Sequence, residues 1–321
     1  MLDLAVLGLD VGKFKIAAAL LHNGKKRDKV FSNDVDGYAE VLSWLKQHRV
    51  SKVHACLEST GGYSEALATV LFDDGHIVSI VNPTRVKAFG KTEMVRTKTD
   101  KVDAGLIARF CQLHEPSPWS PLPLKVRQIQ ALSRRLDSLI DMRAQEQNRL
   151  EAPDNVAPVK ISLRESIAWL DEQIKEIERQ LQQLIKDDPD FRNKRDLLLS
   201  IDGIGKRTAD RILGEMPNIA EFRNAKAVAA YVGLSPREWQ SGTLRGRTRI
   251  SKMGNSRIRK ALYWPAISAM KYNATIRCFA ERLLAAGKSS MLVIVAVMRK
   301  LICLAYAVVR SGRPFISVQT A

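Results

Sequence analysis

The sequence predicts an α/β domain on a mixed sheet, followed by mainly helical structure. Three observations carry that expectation. Residues 4–83 alternate short β-rich runs with turn signals and helical stretches. Residues 163–184 hold a narrow apolar seam, and the excess positive charge is confined to the last part of the chain. With 321 residues there is length for two domains, each with its own core.

Residues 4–10 are β-rich and run into Val11-Gly12-Lys13, a tight turn. Residues 14–21 read as a second strand, and Asn23-Gly24 is a strong hairpin signal before a third strand near 29–32. Helical periodicity follows over 37–48, then a short buried strand over 52–57 that ends at Glu58. Residues 64–72 read as helix and 76–81 as strand, and Pro83 opens another helix. Three strands pairing as a meander, then strand, helix, strand, helix, is the order of an RNase H-like domain with helices on both faces.

From Leu124 the pattern changes. Ile129, Leu132, Leu136 and Leu139 step by three and four. After a breaker at 153–158, Leu163, Ile167, Leu170, Ile174, Ile177, Leu181 and Leu184 step by four and three in strict alternation. The narrow seam amid Glu, Gln, Lys and Arg predicts a coiled coil, either an intramolecular hairpin or an arm joining protomers. Pro189 closes it. Beyond, Leu199-Ser200-Ile201-Asp202-Gly203-Ile204-Gly205-Lys206 resembles the turn of a helix-hairpin-helix element. There Gly203, Gly205 and Lys206 would let the backbone approach a phosphate. A plain tight turn between helices reads the same way. The expected division is 1–123, 124–190 and 191–321, the last part helical with a Gly-rich centre.

Residues 1–190 hold 27 Lys and Arg against 27 Asp and Glu, whereas residues 191–321 hold 24 against 7. The whole formal charge of +17 therefore sits in one region, the footprint of a polyanion partner. Cys56, Cys111, Cys278 and Cys303 form no paired motif and have apolar neighbours, so all four are expected as buried free thiols of a reducing, cytoplasmic compartment. The five histidines cluster nowhere, which argues against zinc. Met1-Leu2-Asp3 does not open a signal peptide, and Arg299-Lys300 interrupts the apolar stretch 291–309, which reads as a buried helix.

Four carboxylates fall where two-metal phosphoryl chemistry would need them. Asp10 ends the first strand and Glu58 the fourth, neighbours in an RNase H-like sheet. Asp100 and Asp103, three apart at a helix start, stack on one face. Mg²⁺ favours such hard oxygen donors, and Mn²⁺ is a chemically similar substitute. Taken alone, each acid also reads as a solvated group, and Asp100 as a helix cap after Thr99.

The motifs together are more specific. Gly8-Leu9-Asp10-Val11-Gly12-Lys13, Glu58-Ser59-Thr60-Gly61-Gly62-Tyr63, Val81-Asn82-Pro83 and Lys98-Thr99-Asp100-Lys101-Val102-Asp103-Ala104 come first. Gly203-Ile204-Gly205, Gly233-Leu234-Ser235-Pro236, Ser241-Gly242 and Arg249-Ile250-Ser251-Lys252-Met253-Gly254 follow in order. The chain resembles, along its length, the DEDD recombinases of bacterial insertion sequences guided by a bridge RNA (the IS-one-ten family). It departs from the common pattern at Gly12, Thr92 and Met94, none of them a chemical group.

The resemblance implies a RuvC-like first domain in which Asp10, Glu58, Asp100 and Asp103 bind Mg²⁺. It implies that Ser241, in a transposase domain, becomes covalently joined to DNA. It also implies a noncoding RNA that pairs with donor and target DNA, and a dimer or tetramer. The residues agree: Ser241 precedes Arg245, Arg247, Arg249, Lys252 and Arg257, cations able to steady a phosphate. A metal-dependent junction nuclease would keep the acids and need no serine. An actin-like kinase would share the Asp10 turn but need a second lobe of the same kind, and a binding protein would need no acids at all.

Overall fold

The computed structural model describes residues 4–316 apart from 60–61, 95–98, 154–155, 238–239, 242–243 and 246–248. The chain divides into two compact units, Met1–Leu122 and Pro123–Ala321. The expected segments 124–190 and 191–321 thus share one unit.

In the first unit β1 (Ala5–Val11), β2 (Lys15–His22) and β3 (Lys25–Ser32) form the meander, followed by α1 (Val35–Gln47). Then come β4 (Val53–Glu58), α2 (Gly62–Asp73), β5 (Ile77–Val81), α3 (Pro83–Thr92) and α4 (Asp100–His114). The sheet order is β3-β2-β1-β4-β5, antiparallel through the meander and parallel from β1 to β4 to β5. This is the RNase H-like order expected. Asn23 and Gly24 both take positive φ (50° and 68°), as a two-residue hairpin matching strand twist requires. Strand β3 starts at Lys25, earlier than its apolar residues suggest, because an edge strand tolerates Lys25, Lys26 and Arg27.

Strand β1 is covered on both faces, which explains its nearly unbroken apolar run. Leu7, Leu9 and Val11 join Ile16, Leu20, Val41, Leu45, Leu67 and Leu71 in one core. Val6 joins Ala17, Cys56, Val81, Ala104, Ile107 and Ala108 in the other, beneath α4.

In the second unit α5 (Leu124–Leu150) and α6 (Ala157–Lys186) pack against each other as a helical hairpin. Ile129, Leu136 and Leu139 on one helix and Ile167, Leu170, Ile174 and Leu181 on the other are buried. Leu163, Ile177 and Leu184 are only half-buried, and Ile185 is buried in place of Leu184. A helix of 3.6 residues per turn drifts off a 3.5-residue seam, so the buried line shifts by one position. Arg143 Nε donates to Asp171 Oδ1 at 2.5 Å across the pair.

Next come α7 (Pro189–Leu199), α8 (Lys206–Glu215), a 3-10 turn (Ile219–Glu221) and α9 (Ala225–Val232). Within the region expected to be mainly helical with a Gly-rich centre, four two-residue strands intervene: β6 (Pro236–Arg237), β7 (Gln240–Ser241), β8 (Leu244–Arg245) and β9 (Arg249–Ile250). They pair as β6–β9 and β7–β8, too short to leave an alternation signal in the sequence. Then come α10 (Ser256–Ala261), α11 (Tyr263–Tyr272), α12 (Ala274–Ala285) and α13 (Ser290–Ser311). Helix α13 is apolar and long enough to cross a membrane by composition, yet it packs on α7, α9, α11 and α12 with Val293, Val297, Leu301 and Ile302 buried. Its Lys300 ammonium lies 4.4 Å from the Phe279 ring centre, where an amphipathic stem is well accommodated.

Cys56, Cys111 and Cys303 are free thiols, but burial was expected of all four cysteines and holds fully for only Cys56 and Cys111. Cys303 is half-buried. Cys278 is exposed, because α12 turns Ile276 and Ala280 inward and leaves position 278 outside.

Candidate active site

Period-two geometry decides where the strand acids point. Asp10 follows Val6 and Gly8 on the α4 side of β1, and Glu58 follows Cys56 on the same side of β4. Leu9 pairs with Leu57 in the parallel ladder, so the next residues, Asp10 and Glu58, leave adjacent strands at one edge. Both are half-buried.

Helix α4 runs against these strands. Its Cys111 thiol lies 3.8 Å from the His54 carbonyl early in β4, while Ala104 and Ala108 lie over Gly8. A Cβ at Gly8 would sit 2.2 Å from the Ala104 carbonyl oxygen and 2.3 Å from the Ala108 nitrogen. Only glycine lets the helix come this close. The first turn of α4, with Asp100 and Asp103, is thereby carried to the strand ends that hold Asp10 and Glu58.

Thr99, not Asp100, caps α4: its side chain accepts from the Val102 N–H at 3.3 Å. Asp100 is ion-paired with Lys15 of β2. The hydrogen bond and charge of Asp100, and then the charge of Asp10, hold the Lys15 ammonium above its ordinary pKa. Two of the four acids therefore act on one cation. Lys15 has no sequence signal for this role, since the partner is distant in the chain.

Asn33 braces the same end of the sheet. Its amide donates to the Gly12 carbonyl at 2.8 Å and to the Tyr63 carbonyl at 3.3 Å, and its oxygen accepts from the Tyr38 hydroxyl at 2.9 Å. Among the described residues no three His, Cys, Asp or Glu side chains are grouped closely enough to hold a metal ion as they stand. Thr60, Gly61 and Lys98 of the flanking motifs lie outside the described residues.

The second locus lies in the other unit. Ser241 is exposed on β7, and its backbone faces Leu244 of β8. Gly242 and Arg247 lie outside the described residues. Arg245 is on β8 opposite Gln240. Arg249 pairs with Arg237 and is exposed, as are Lys252 and Arg257. Lys252 takes φ +54° and donates its N–H to the Gly233 carbonyl at 3.1 Å. Gly254, at φ +144°, lies so near the Tyr231 carbonyl that a Cβ would stand 2.2 Å from it. Both motif glycines, Gly233 and Gly254, thus shape one backbone crossing.

Of the turn residues before α8, Gly203 is occupied by packing: a Cβ there would meet the Ala269 Cβ at 2.6 Å. Gly205 and Lys206 face solvent at the N-terminus of α8.

A buried carboxylate anchors the second locus. Glu215 accepts from Arg134 of α5 at 2.7 Å and from the Asn255 amide at 2.9 Å, while Asn255 caps α10. Burial pushes its pKa up, but the Arg134 and Asn255 hydrogen bonds and the Arg134 and Arg257 charges outweigh it and hold it below the usual carboxylate range. Neither Glu215 nor Asn33 stood out in the sequence, because each works through contacts between distant segments.

Comparison with known proteins follows the same two-part order. A transposase family model with the DEDD signature in its name matches residues 7–153, and a model described as transposase, IS116/IS110/IS902 family, matches residues 195–281. The pilin gene-inverting protein of Moraxella bovis is 33% identical over 314 residues, 96% of this chain and 97% of its own. Its Moraxella lacunata counterpart matches to the same extent. The transposase for insertion sequence element IS1328 of Yersinia enterocolitica is 25% identical over 292 residues, 82% of this chain and 83% of its own. T. thermophilus RuvC in complex with a Holliday junction substrate is 16% identical and covers 36% of this chain and 99% of its own, with a TM-score of 0.29. At that score the likeness carries no argument, and the strand order stands on its own. Matches to both models in chain order, and a relative alike along nearly its whole length, make this chain a member of the IS116/IS110/IS902 family of transposases, enzymes that act on DNA.

Proposed function

We propose that the protein is an RNA-guided DNA recombinase that cuts and rejoins donor and target strands. Asp10, Glu58, Asp100 and Asp103 hold Mg²⁺, and Ser241 forms the covalent link to DNA. The observation that carries this reading is the meeting of strand ends and helix start: Gly8 admits α4, and both Asp100 and Asp10 act on Lys15.

The donors suit a hard divalent cation. All four are carboxylates, and the ammonium of Lys15 is already drawn to them. When bound, Mg²⁺ supplies charge stabilisation to the attacking and leaving oxygens of a phosphodiester. Lys15 would then give up Asp100 and turn to the DNA backbone. Ser241 Oγ gives up its proton and attacks phosphorus, the P–O bond to one strand breaks, and the leaving oxygen takes a proton to become that strand's free hydroxyl. In the reverse sense, another strand's hydroxyl attacks the phosphoserine and frees Ser241. The bond energy is kept, so no nucleotide triphosphate is consumed. Arg245, Arg247, Arg249, Lys252 and Arg257 steady the phosphates, with Gly205 and Lys206 contributing backbone and charge at α8. A noncoding RNA sets the sites by pairing, and a homo-oligomer in the cytoplasm brings the strands together.

Strand exchange with purified protein, co-purified RNA and labelled donor DNA tests this. Asp10→Asn, Glu58→Gln, Asp100→Asn, Asp103→Asn and chelation of the metal should each abolish exchange. Denaturation should leave a protein–DNA adduct on the peptide holding Ser241, lost in Ser241→Ala. Cleavage that survives in Ser241→Ala would make the protein a metal-dependent junction nuclease without a serine intermediate. Exchange that survives chelation would remove the acids from the chemistry.

A further inference from the structure

The second unit contains a cleft of about 870 Å³ walled by α5, α8, β9, α10, α11 and α13. That is the size range of sites that take a nucleotide-sized ligand. Trp264 stands on its rim, 73% exposed, the second residue of α11. Tyr263 meets the indole edge-on, with ring centres 5.4 Å apart and an 80° interplanar angle. An indole this exposed presents ring surface to solvent.

The lining charge is uneven. Arg207, Arg211, Arg259 and Lys260 face Asp137 and Asp141. Arg211 is ion-paired with Asp137, and Lys260 binds Asp141 at 2.7 Å, both groups of the latter pair being largely exposed. Arg259 is held by two backbone carbonyls, those of Val232 and Lys252, so its bonds fix its position without cancelling its charge. Arg207 reaches Glu178 at 2.6 Å, a pair open to water that screening weakens. The cleft therefore offers one aromatic platform beside cations that outnumber its carboxylates two to one.

We infer that this cleft binds an unpaired nucleotide of a nucleic-acid strand, its base stacked on Trp264 and its phosphates beside Arg259, Arg207 and Lys260. A duplex hides its base faces, so only a single strand or flipped base can use an indole in this way. A protein segment would be served by the apolar wall of Val295 and Met298 but would leave the cation excess unused. The inference needs neither the four acids nor Ser241, so it stands or falls apart from the recombination chemistry.

The test is binding by full-length protein, stripped of RNA, in a chelating buffer where no chemistry proceeds. Oligo-uridine, oligo-thymidine and a blunt DNA duplex are the probes. Trp264→Ala should weaken single-strand binding roughly tenfold, the loss of one stacked base, and leave duplex binding unchanged. Trp264→Phe should keep most of the affinity. A loss confined to oligo-uridine assigns the cleft to RNA, and one confined to oligo-thymidine to DNA. Photo-crosslinking of wild-type protein to 5-iodouracil-bearing strands should mark the peptide containing Trp264, which decides the matter even if a variant folds poorly. Unchanged single-strand affinity in a Trp264→Ala protein of normal melting temperature, with crosslinks elsewhere, would overturn the inference. So would a change in self-association alone, which would give the cleft to a protein partner.

Discussion

Gly8 and Ala104 are in such close contact that a Cβ on the first would stand 2.2 Å from the carbonyl oxygen of the second. One missing methyl group thus sets the distance between β1 and α4, and with it the spacing of two pairs of carboxylates.

Gly8→Ala should therefore push α4 from the sheet. Overpacking of this kind costs about 1–3 kcal/mol, and thermal melting should show that loss. Strand exchange should fall further than stability does, because Asp100 and Asp103 move with the helix. A variant of normal activity would show that the four acids need no such spacing.

Glu215→Gln should destabilise the protein in a pH-dependent way. The folded carboxyl lies below its ordinary 4.5, so its contribution is complete above about pH 4.5 and is lost as pH falls through the folded value. Losing charge-assisted hydrogen bonds to Arg134 and Asn255 should cost about 2 kcal/mol at neutral pH. Melting temperatures of variant and wild type should converge toward acid. A gap that is constant from pH 7 to 3 would mean that Glu215 packs without ionising.

The hairpin offers a graded comparison. Ile174 is 6% exposed and Ile177 only half-buried. Ile174→Asp should cost a few kcal/mol, by burying a charge against α5, and Ile177→Asp distinctly less. Denaturant titration of the two single variants checks the order. Equal effects would mean that the strict seam, and not the drifted one, forms the contact.

Nucleic-acid affinity should fall steeply with salt, because phosphates neutralised by the basic region release counterions. Binding measured from about 0.05 to 0.2 M salt, with and without residues 191–321, checks this. A shallow dependence, or full affinity in the truncated chain, would detach the +17 charge from its partner.

Much of the first unit was legible because local signals agreed with global order. Asn23-Gly24 marked the hairpin, the doubly covered β1 read as an apolar run, Glu58 ends β4 and Asp10 falls one residue before the end of β1. The start of β3 was misread because Lys25 to Arg27 carry no apolar mark on an edge strand. The short ladders at Ser241 left no mark, because two residues have no period. Lys15, Asn33 and Glu215 were invisible for another reason: each joins segments far apart, and a sequence records such pairings only as ordinary polar residues. Motif resemblance, not periodicity, singled out Ser241.

Glu215 accepts bonds from a helix of the hairpin and from the residue that starts α10. One anion is thus the common pivot of two levers. A sideways swing of α5 cannot occur without either dragging Asn255, and the Lys252 crossing beside it, or rupturing a bond to that anion. Force applied to the hairpin is consequently delivered to the loop that follows β9, through Glu215 and, at α10 itself, through the pair of Lys260 with Asp141.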